Sequence, residues 1–191
     1  MIRKLHHNAY RCRDSEETRC FYEDFLGLPL VSTLELGETK TGRGTHTLHT
    51  FYRMEDASHL AFFETTDMPF EFKRQHDFDL HIALEVGAEA LPPMLTKGQA
   101  AGIETRVPSN HGMVDSIYFR DLSGYVIELC AKRAEHDTLM NPPPTAHAAS
   151  CSAGRQARPG TRQPADRRAR DGPYLRLPAL RTPNPQPTEA T

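Results

Sequence analysis

Three side chains suited to binding a metal stand at related places in this sequence. His7 lies in L-H-H-N-A-Y (5–10) and His81 in D-L-H-I-A-L (79–84), and each is followed two residues later by alanine. Glu128 lies inside the apolar run Tyr125-Val-Ile-Glu-Leu129. A carboxylate in such a run is costly unless something pairs with it. Two imidazoles and a carboxylate make a 2-His-1-carboxylate set, which leaves coordination positions open and suits non-haem Fe(II). Any one of the three would be an ordinary strand residue; what groups them is the repeat in which they occur.

That repeat is also what must position them. Leu5 to Cys12 reads as a strand, and Asp14 caps a following helix with Glu17 in capping-box position. Phe21, Tyr22, Phe25 and Leu26 give this helix an apolar stripe, and Gly27 then Pro29 end it. Leu30–Leu36, Thr45–Tyr52 and Leu60–Glu64 read as strands. After a charged connector, Thr65 to Asp79, the order starts again. Leu80–Val86 is a strand, and Ala88–Ala101 is a helix with Pro92 and Pro93 in its first turn and Gly102 after its end. Ile103–Val107, Val114–Phe119 and Tyr125–Cys130 complete the second half, with a tight turn at Asp121-Leu-Ser-Gly124. Each half is therefore β-α-β-β-β, and internal repeats usually dictate a fold. If the halves are equivalent, a pseudo-two-fold axis relates His7 to His81.

Residues 1–140 are expected to form one domain, with modules at about 5–64 and 80–132. Up to Met140 there are 15 basic and 22 acidic residues, a net −7, which makes this body a poor candidate for nucleic acid. From Asn141 to 191 there are eight Arg against three acids, 10 of the chain's 15 prolines, and no Ile, Val, Phe, Met or Lys. Such a tail cannot bury enough apolar surface to offset its ordering entropy, and its abrupt bias also fits out-of-frame translation of GC-rich DNA. The cysteines at 12, 20, 130 and 151 have no metal or redox spacing. Cys12 and Cys130 read as buried thiols. No run is long enough to span a membrane and no apolar leader opens the chain, so a cytoplasmic protein is expected. No phosphate loop or dinucleotide fingerprint implies an organic cofactor.

With its paired βαβββ halves, the chain from Leu5 to Lys132 resembles the vicinal oxygen chelate superfamily. That superfamily includes glyoxalase I, fosfomycin- and bleomycin-resistance proteins and type I extradiol ring-cleavage dioxygenases. The resemblance implies an α+β fold in which two modules form a curved, partly open mixed-sheet barrel around a metal. Its ligand positions correspond to His7, His81 and Glu128. Glyoxalase I carries a fourth ligand, for which Glu64 is the candidate. Register opposes it: aligning D-A-S-H-L-A-F-F on D-L-S-G-Y-V-I-E puts Ala61 or a neighbour opposite Glu128, and Glu64 on the other face.

The stretch His111 to Glu128 is also similar to the extradiol dioxygenase signature in the spacing of His111, Ile117-Tyr118, Asp121, Gly124 and Glu128. It departs from that signature at Leu122, where proline is usual, and at Ser109. By that resemblance His111 is the acid/base and Tyr118 the hydrogen-bond donor to substrate, and the reaction inserts O2 into a catechol-like aromatic ring. The implied cofactor is a divalent metal, Fe(II). A glyoxalase I-type lyase using Ni, Zn or Mn is the alternative, and a metal-free drug-binding protein is a third reading. The resemblance further implies a homodimer, with the site inside one chain or across the interface. His46, His49 and Tyr52 share a strand that could line the pocket, although a polar-faced strand explains them as well.

Overall fold

The computed structural model describes residues 1–72, 76 and 81–141. The expectations for the tail, for Cys151 and for Leu80 lie outside these residues. All described elements belong to the compact unit Met1–Pro143.

Strands β1 (His7–Arg11), β2 (Leu30–Glu38), β3 (Gly44–Arg53) and β4 (His59–Thr65) form one four-stranded sheet in the order β1-β4-β3-β2. Strands β5 (His81–Glu85), β6 (Thr105–Asn110), β7 (Val114–Arg120) and β8 (Val126–Lys132) form a second, in the order β5-β8-β7-β6. In each sheet the first strand pairs parallel with the last and the rest are antiparallel, which is the βαβββ pattern twice over. Among the described residues no strand of one sheet pairs with a strand of the other, so the sheets do not close into a barrel.

The halves match residue by residue. Ala9 lies opposite Ala61 as Ala83 lies opposite Glu128, and His7 opposite His59 as His81 opposite Val126. Across the next ladder Phe51 faces Ala61 where Tyr118 faces Glu128. Alternation along a strand sends neighbouring side chains to opposite faces. In the first half, Leu60, Phe62 and Tyr52 point to the helix side and are fully buried against Phe21, Tyr22 and Phe25. In the second, Ile117, Phe119, Ile127 and Leu129 do the same. The opposite face of each sheet carries His7 in one half and His81 with Glu128 in the other.

The first helix departs from the simple amphipathic expectation. Asp14 caps it as expected, its carboxylate accepting from the Glu17 N–H at 2.8 Å. The α-helix α1 (Ser15–Arg19) then continues as a π-helix over Cys20–Phe25, closed by a bond from Leu26 N–H to the Phe21 carbonyl at 3.0 Å. The wider turn lets the adjacent Phe21 and Tyr22 both bury, and it aims the Tyr22 hydroxyl at Asp121 of the other module, 3.0 Å away. Gly27, at φ +82°, ends the helix. Helix α2 (Leu91–Ala100) is preceded by one 3₁₀ turn (Ala88–Ala90), with Pro92 and Pro93 at its start as expected. A last short helix, α3 (His136–Met140), was not legible in the sequence.

Gly98 lets α2 approach its sheet. A Cβ there would meet Phe119 ring carbons at 2.5 and 3.1 Å and the Thr105 methyl at 2.9 Å. Phe119 cannot retreat, because the Phe25 ring packs edge-on against it at 5.1 Å. Gly to Ala inside a helix ordinarily gains ~1 kcal/mol. Here Gly98→Ala is expected to lose about 1–3 kcal/mol instead, the usual cost of overpacking, read as a lower urea midpoint.

The modules are joined around the Asp121-Leu-Ser-Gly124 turn. Besides the Tyr22 bond, the Asp121 carboxylate accepts from the N–H groups of Ser123 (3.0 Å) and Tyr125 (2.7 Å). Ser123 Oγ accepts from Arg13 N–H, and the Tyr125 hydroxyl donates to the Arg11 carbonyl at 2.7 Å. Burial, partly countered by these donors, raises the Asp121 carboxyl to about 6. A carboxyl that holds its proton more tightly when folded stabilises the protein below its unfolded pKa. That stabilisation is lost as pH climbs through the folded value. Between pH 4 and 7 the wild type is expected to lose up to roughly 3 kcal/mol relative to Asp121→Asn, measured by urea unfolding across pH.

Candidate active site

The second module gathers four of the residues singled out by the sequence. Pairing of β5 with β8 brings His81 beside Glu128, and the His81 Nε2 touches the Glu128 Oε2 directly. Tyr118 stands opposite Glu128 in the β7–β8 ladder, and its hydroxyl donates to the Glu128 Oε1 at 3.2 Å. His111 arrives from the β6–β7 turn, where Gly112 takes φ +82° and the Asn110 side chain accepts from Gly112 N–H at 2.7 Å. Its Nε2 lies 2.7 Å from the Tyr118 hydroxyl. Since that hydroxyl already donates to Glu128, His111 must be the donor to it. The result is one hydrogen-bonded chain, His111–Tyr118–Glu128–His81, across three strands and a turn.

The electrostatics of this chain follow from burial. Glu128 is only 7% exposed, and it is met by an imidazole and a phenol rather than by Lys or Arg. Burial, then the neighbouring Glu128 carboxylate, pushes the Tyr118 phenol above its usual value, so it stays a donor at neutral pH. A buried carboxylate touching an imidazole nitrogen has the donor types a first-row divalent cation takes, and a cation bound between them would compensate the buried charge. The donor types of His81 and Glu128 therefore suit a metal.

His7 occupies the matching position in the first module and does not join that pair within the chain. Its Nδ1 is 2.8 Å from that of His6, and its ring lies near Phe51 (5.5 Å) and His49 (6.2 Å). Burial, then the neighbouring imidazoles of His6, His49 and His59, lowers its pKa and favours the neutral ring that metals bind. Among the described residues no three His, Cys, Asp or Glu side chains lie close enough to share one ion.

Glu64 is on the helix side of β4, where its Oε2 accepts from the Ser15 N–H at 2.7 Å. Ala61 holds the position equivalent to Glu128, as the register argument anticipated. His46, His49 and Tyr52 divide between faces. His49 is buried and stacks on Phe63 at 3.7 Å, Tyr52 is buried on the helix side, and His46 is exposed. Cys12 is buried as expected, whereas Cys130 is half-buried beside Glu128's strand neighbours.

Two arginines that the sequence reading did not single out, Arg106 and Arg120, flank Tyr118 and Val126 in the second sheet. Arg106 lies opposite Tyr118 in the β6–β7 ladder and Arg120 opposite Val126. With Glu104, Tyr118, Phe119 and Val126 they line a shallow surface depression with no enclosed volume. The signal was available only after strand pairing, because neither residue has a distinctive spacing to Glu128.

Two βαβββ modules, each with its first strand parallel to its last, define the class of fold. The chain belongs to the Glyoxalase/Bleomycin resistance protein/Dioxygenase superfamily, whose family model matches residues 4–129. No curated protein matches the chain. Among solved structures, it is similar to a glyoxylase/bleomycin resistance protein/dioxygenase domain from Frankia sp. EAN1pec. That similarity is 14% identity and TM-score 0.57, over 73% of this chain and 99% of that one. It is also similar to the fosfomycin resistance protein FosX from Listeria monocytogenes, with 20% identity and TM-score 0.53 over 71% and 98% of the two chains. A glyoxalase/dioxygenase from Nostoc punctiforme matches with 19% identity and TM-score 0.51 over 69% and 92%. At these identities the likeness is one of fold. No helix among the described residues is long and apolar enough to cross a membrane.

Proposed function

We propose that the protein is a metal-dependent ring-cleavage dioxygenase of the extradiol type, acting as a homodimer on a catechol-like substrate and O2. The observation that carries this reading is the hydrogen-bonded chain His111–Tyr118–Glu128–His81. It links a candidate acid/base and a phenolic donor to the candidate ligand pair. His81 and Glu128 would hold Fe(II), with His7 of a second copy as third ligand. Such a metal supplies open positions for both catechol oxygens and for O2. Tyr118 would donate to a substrate oxygen, and His111 would take the catechol proton and return it later in turnover. Fe(II) is assigned on the donor set; a FosX structure from Listeria monocytogenes holds Mn(II), so the fold itself admits another divalent ion.

The placing of His7 supports a site shared between copies. Among the described residues His7 does not come close enough to His81 and Glu128 to share one ion with them, and the His7 side chain is exposed and so open to a second copy. The glyoxalase alternative needs Glu64, whose carboxylate is engaged by Ser15 on the helix side of the sheet. The presence of all three candidate ligands, His7, His81 and Glu128, weighs against a metal-free drug-binding protein.

Mixing two inactive variants tests the shared site. His7→Ala and Glu128→Gln are each expected to be inactive. Co-refolded in equal amounts, they should regain roughly a quarter of the wild-type sites, because half the dimers are mixed and each restores one of two. If the mixture stays inactive while each variant remains folded, the shared site is wrong. Oxygen uptake with a panel of catechols after anaerobic Fe(II) loading tests the chemistry. Isomerisation of a hemithioacetal without oxygen uptake would favour the glyoxalase reading.

A further inference from the structure

We propose that His6 is a positioning residue for His7: its ring accepts the Nδ1–H of His7 and so leaves the His7 Nε2 lone pair for a metal. This rests on the reading of His7 as the third ligand, supplied to the site of a second copy. The two Nδ1 atoms are 2.8 Å apart, a hydrogen-bond distance. A neutral imidazole has one N–H and one lone pair, so one ring gives the proton and the other receives it. With the His7 proton on Nδ1, its lone pair is on Nε2. Metal-bound histidines almost always donate their other ring N–H in this way, which fixes both tautomer and ring orientation.

His6 is itself held by the neighbouring strand. Its carbonyl accepts from the His59 N–H at 3.1 Å, at the start of the β1–β4 pairing. The His59 Nδ1 lies 3.4 Å from the same carbonyl, and since a carbonyl only accepts, that nitrogen is the donor. The His6 ring stands 5.0 Å from that of His7, at 75° to it, and 6.1 Å from that of His59. The His7 ring also packs against Phe51 at 5.5 Å. A hydrogen bond and an apolar ring together restrict how His7 can turn, although its side chain is exposed.

The two modules thereby orient their histidines by different means. In the second, His81 is met by Glu128, which lies opposite Ala83. In the first, Ala61 lies opposite Ala9 at the equivalent place, where a methyl group cannot accept a hydrogen bond. The residue before His81 in the sequence is Leu80, which has no ring nitrogen, whereas the residue before His7 is His6. The neighbouring imidazole therefore occurs in the module that lacks the carboxylate, and not in the one that has it.

The test reads tautomer and metal affinity separately, on the full chain. In metal-free protein isotope-labelled at histidine, long-range proton–nitrogen correlation spectra should show the His7 proton on Nδ1, the His7 signals being identified by their loss in His7→Ala. His6→Phe keeps an aromatic ring and removes the acceptor, and the Nδ1–H form should then no longer predominate. Zn(II) affinity, from competition with a chelator, should fall by about tenfold in His6→Phe. That is the lower end of the ~10–100-fold range for losing a ligand's hydrogen-bonding partner, because the pair is exposed. His6→Asn, whose amide oxygen can accept in place of Nδ1, should recover most of the loss. A His7 proton on Nε2 in the wild type, or unchanged Zn(II) affinity in His6→Phe, would overturn the assignment. So would an Asn variant as weak as the Phe variant, or a Phe variant as weak as His7→Ala, which would make His6 a ligand itself. If His7→Ala binds Zn(II) as the wild type does, the reading of His7 as a ligand fails and the positioning role with it.

Discussion

Glu128→Gln is expected to abolish stoichiometric metal binding and, with it, turnover. The change is nearly isosteric, so the fold should tolerate it. It removes the charge that, on a 7%-exposed side chain, calls for a cation. Losing a group that merely supports a ligand costs ~10–100-fold in metal affinity, and losing the carboxylate ligand should cost more. Two measurements read this. Metal content after anaerobic loading should fall from near one per chain towards none. Added metal should raise the wild-type melting temperature and leave that of Glu128→Gln where it was, because a ligand at about 100 times its Kd stabilises the native state by ~2.7 kcal/mol. If the variant binds metal as well as the wild type does, Glu128 serves only as the buried partner of His81, and the proposed centre is wrong.

The fold was legible because its repeat is written in residue types. L-H-H-N-A and D-L-H-I-A fixed the equivalence of β1 and β5. The alternation of β4 and β8 then put Ala61 where Glu128 stands and Glu64 on the helix side. Three things were not legible, for distinct reasons. The π-wound stretch Cys20–Phe25 has the composition of an α-helix, and its register is set by what Phe21, Tyr22 and Phe25 pack against in three dimensions. The separation of His7 from His81 depends on how the two sheets sit, which no periodicity within either module encodes. The places of Arg106 opposite Tyr118 and of Arg120 opposite Val126 come from strand pairing, and a register shift between Arg106 and Ser109 breaks simple alternation in β6. His111 and Tyr118 were found because motif spacing happened to coincide with spatial contact.

That contact gives the second large expectation. Tyr118→Phe and His111→Asn should each lower kcat by about 10²–10⁴-fold, the range for a positioned proton-transfer or hydrogen-bonding group, while metal content stays near that of the wild type. The reason lies in the hydrogen bonds. Tyr118 donates to Glu128 and receives from His111, so the phenol is the only link between the acid/base candidate and the ligand pair in this chain of contacts. Removing the hydroxyl leaves His81 and Glu128 in contact and a ring of the same shape in place. It severs the route by which a proton at His111 can reach a substrate oxygen near Glu128. In the double variant the losses should not add, because either change already breaks the same route. Full additivity would mean that His111 and Tyr118 act separately. A metal-free Tyr118→Phe protein would instead assign the phenol to holding Glu128 in place rather than to the substrate.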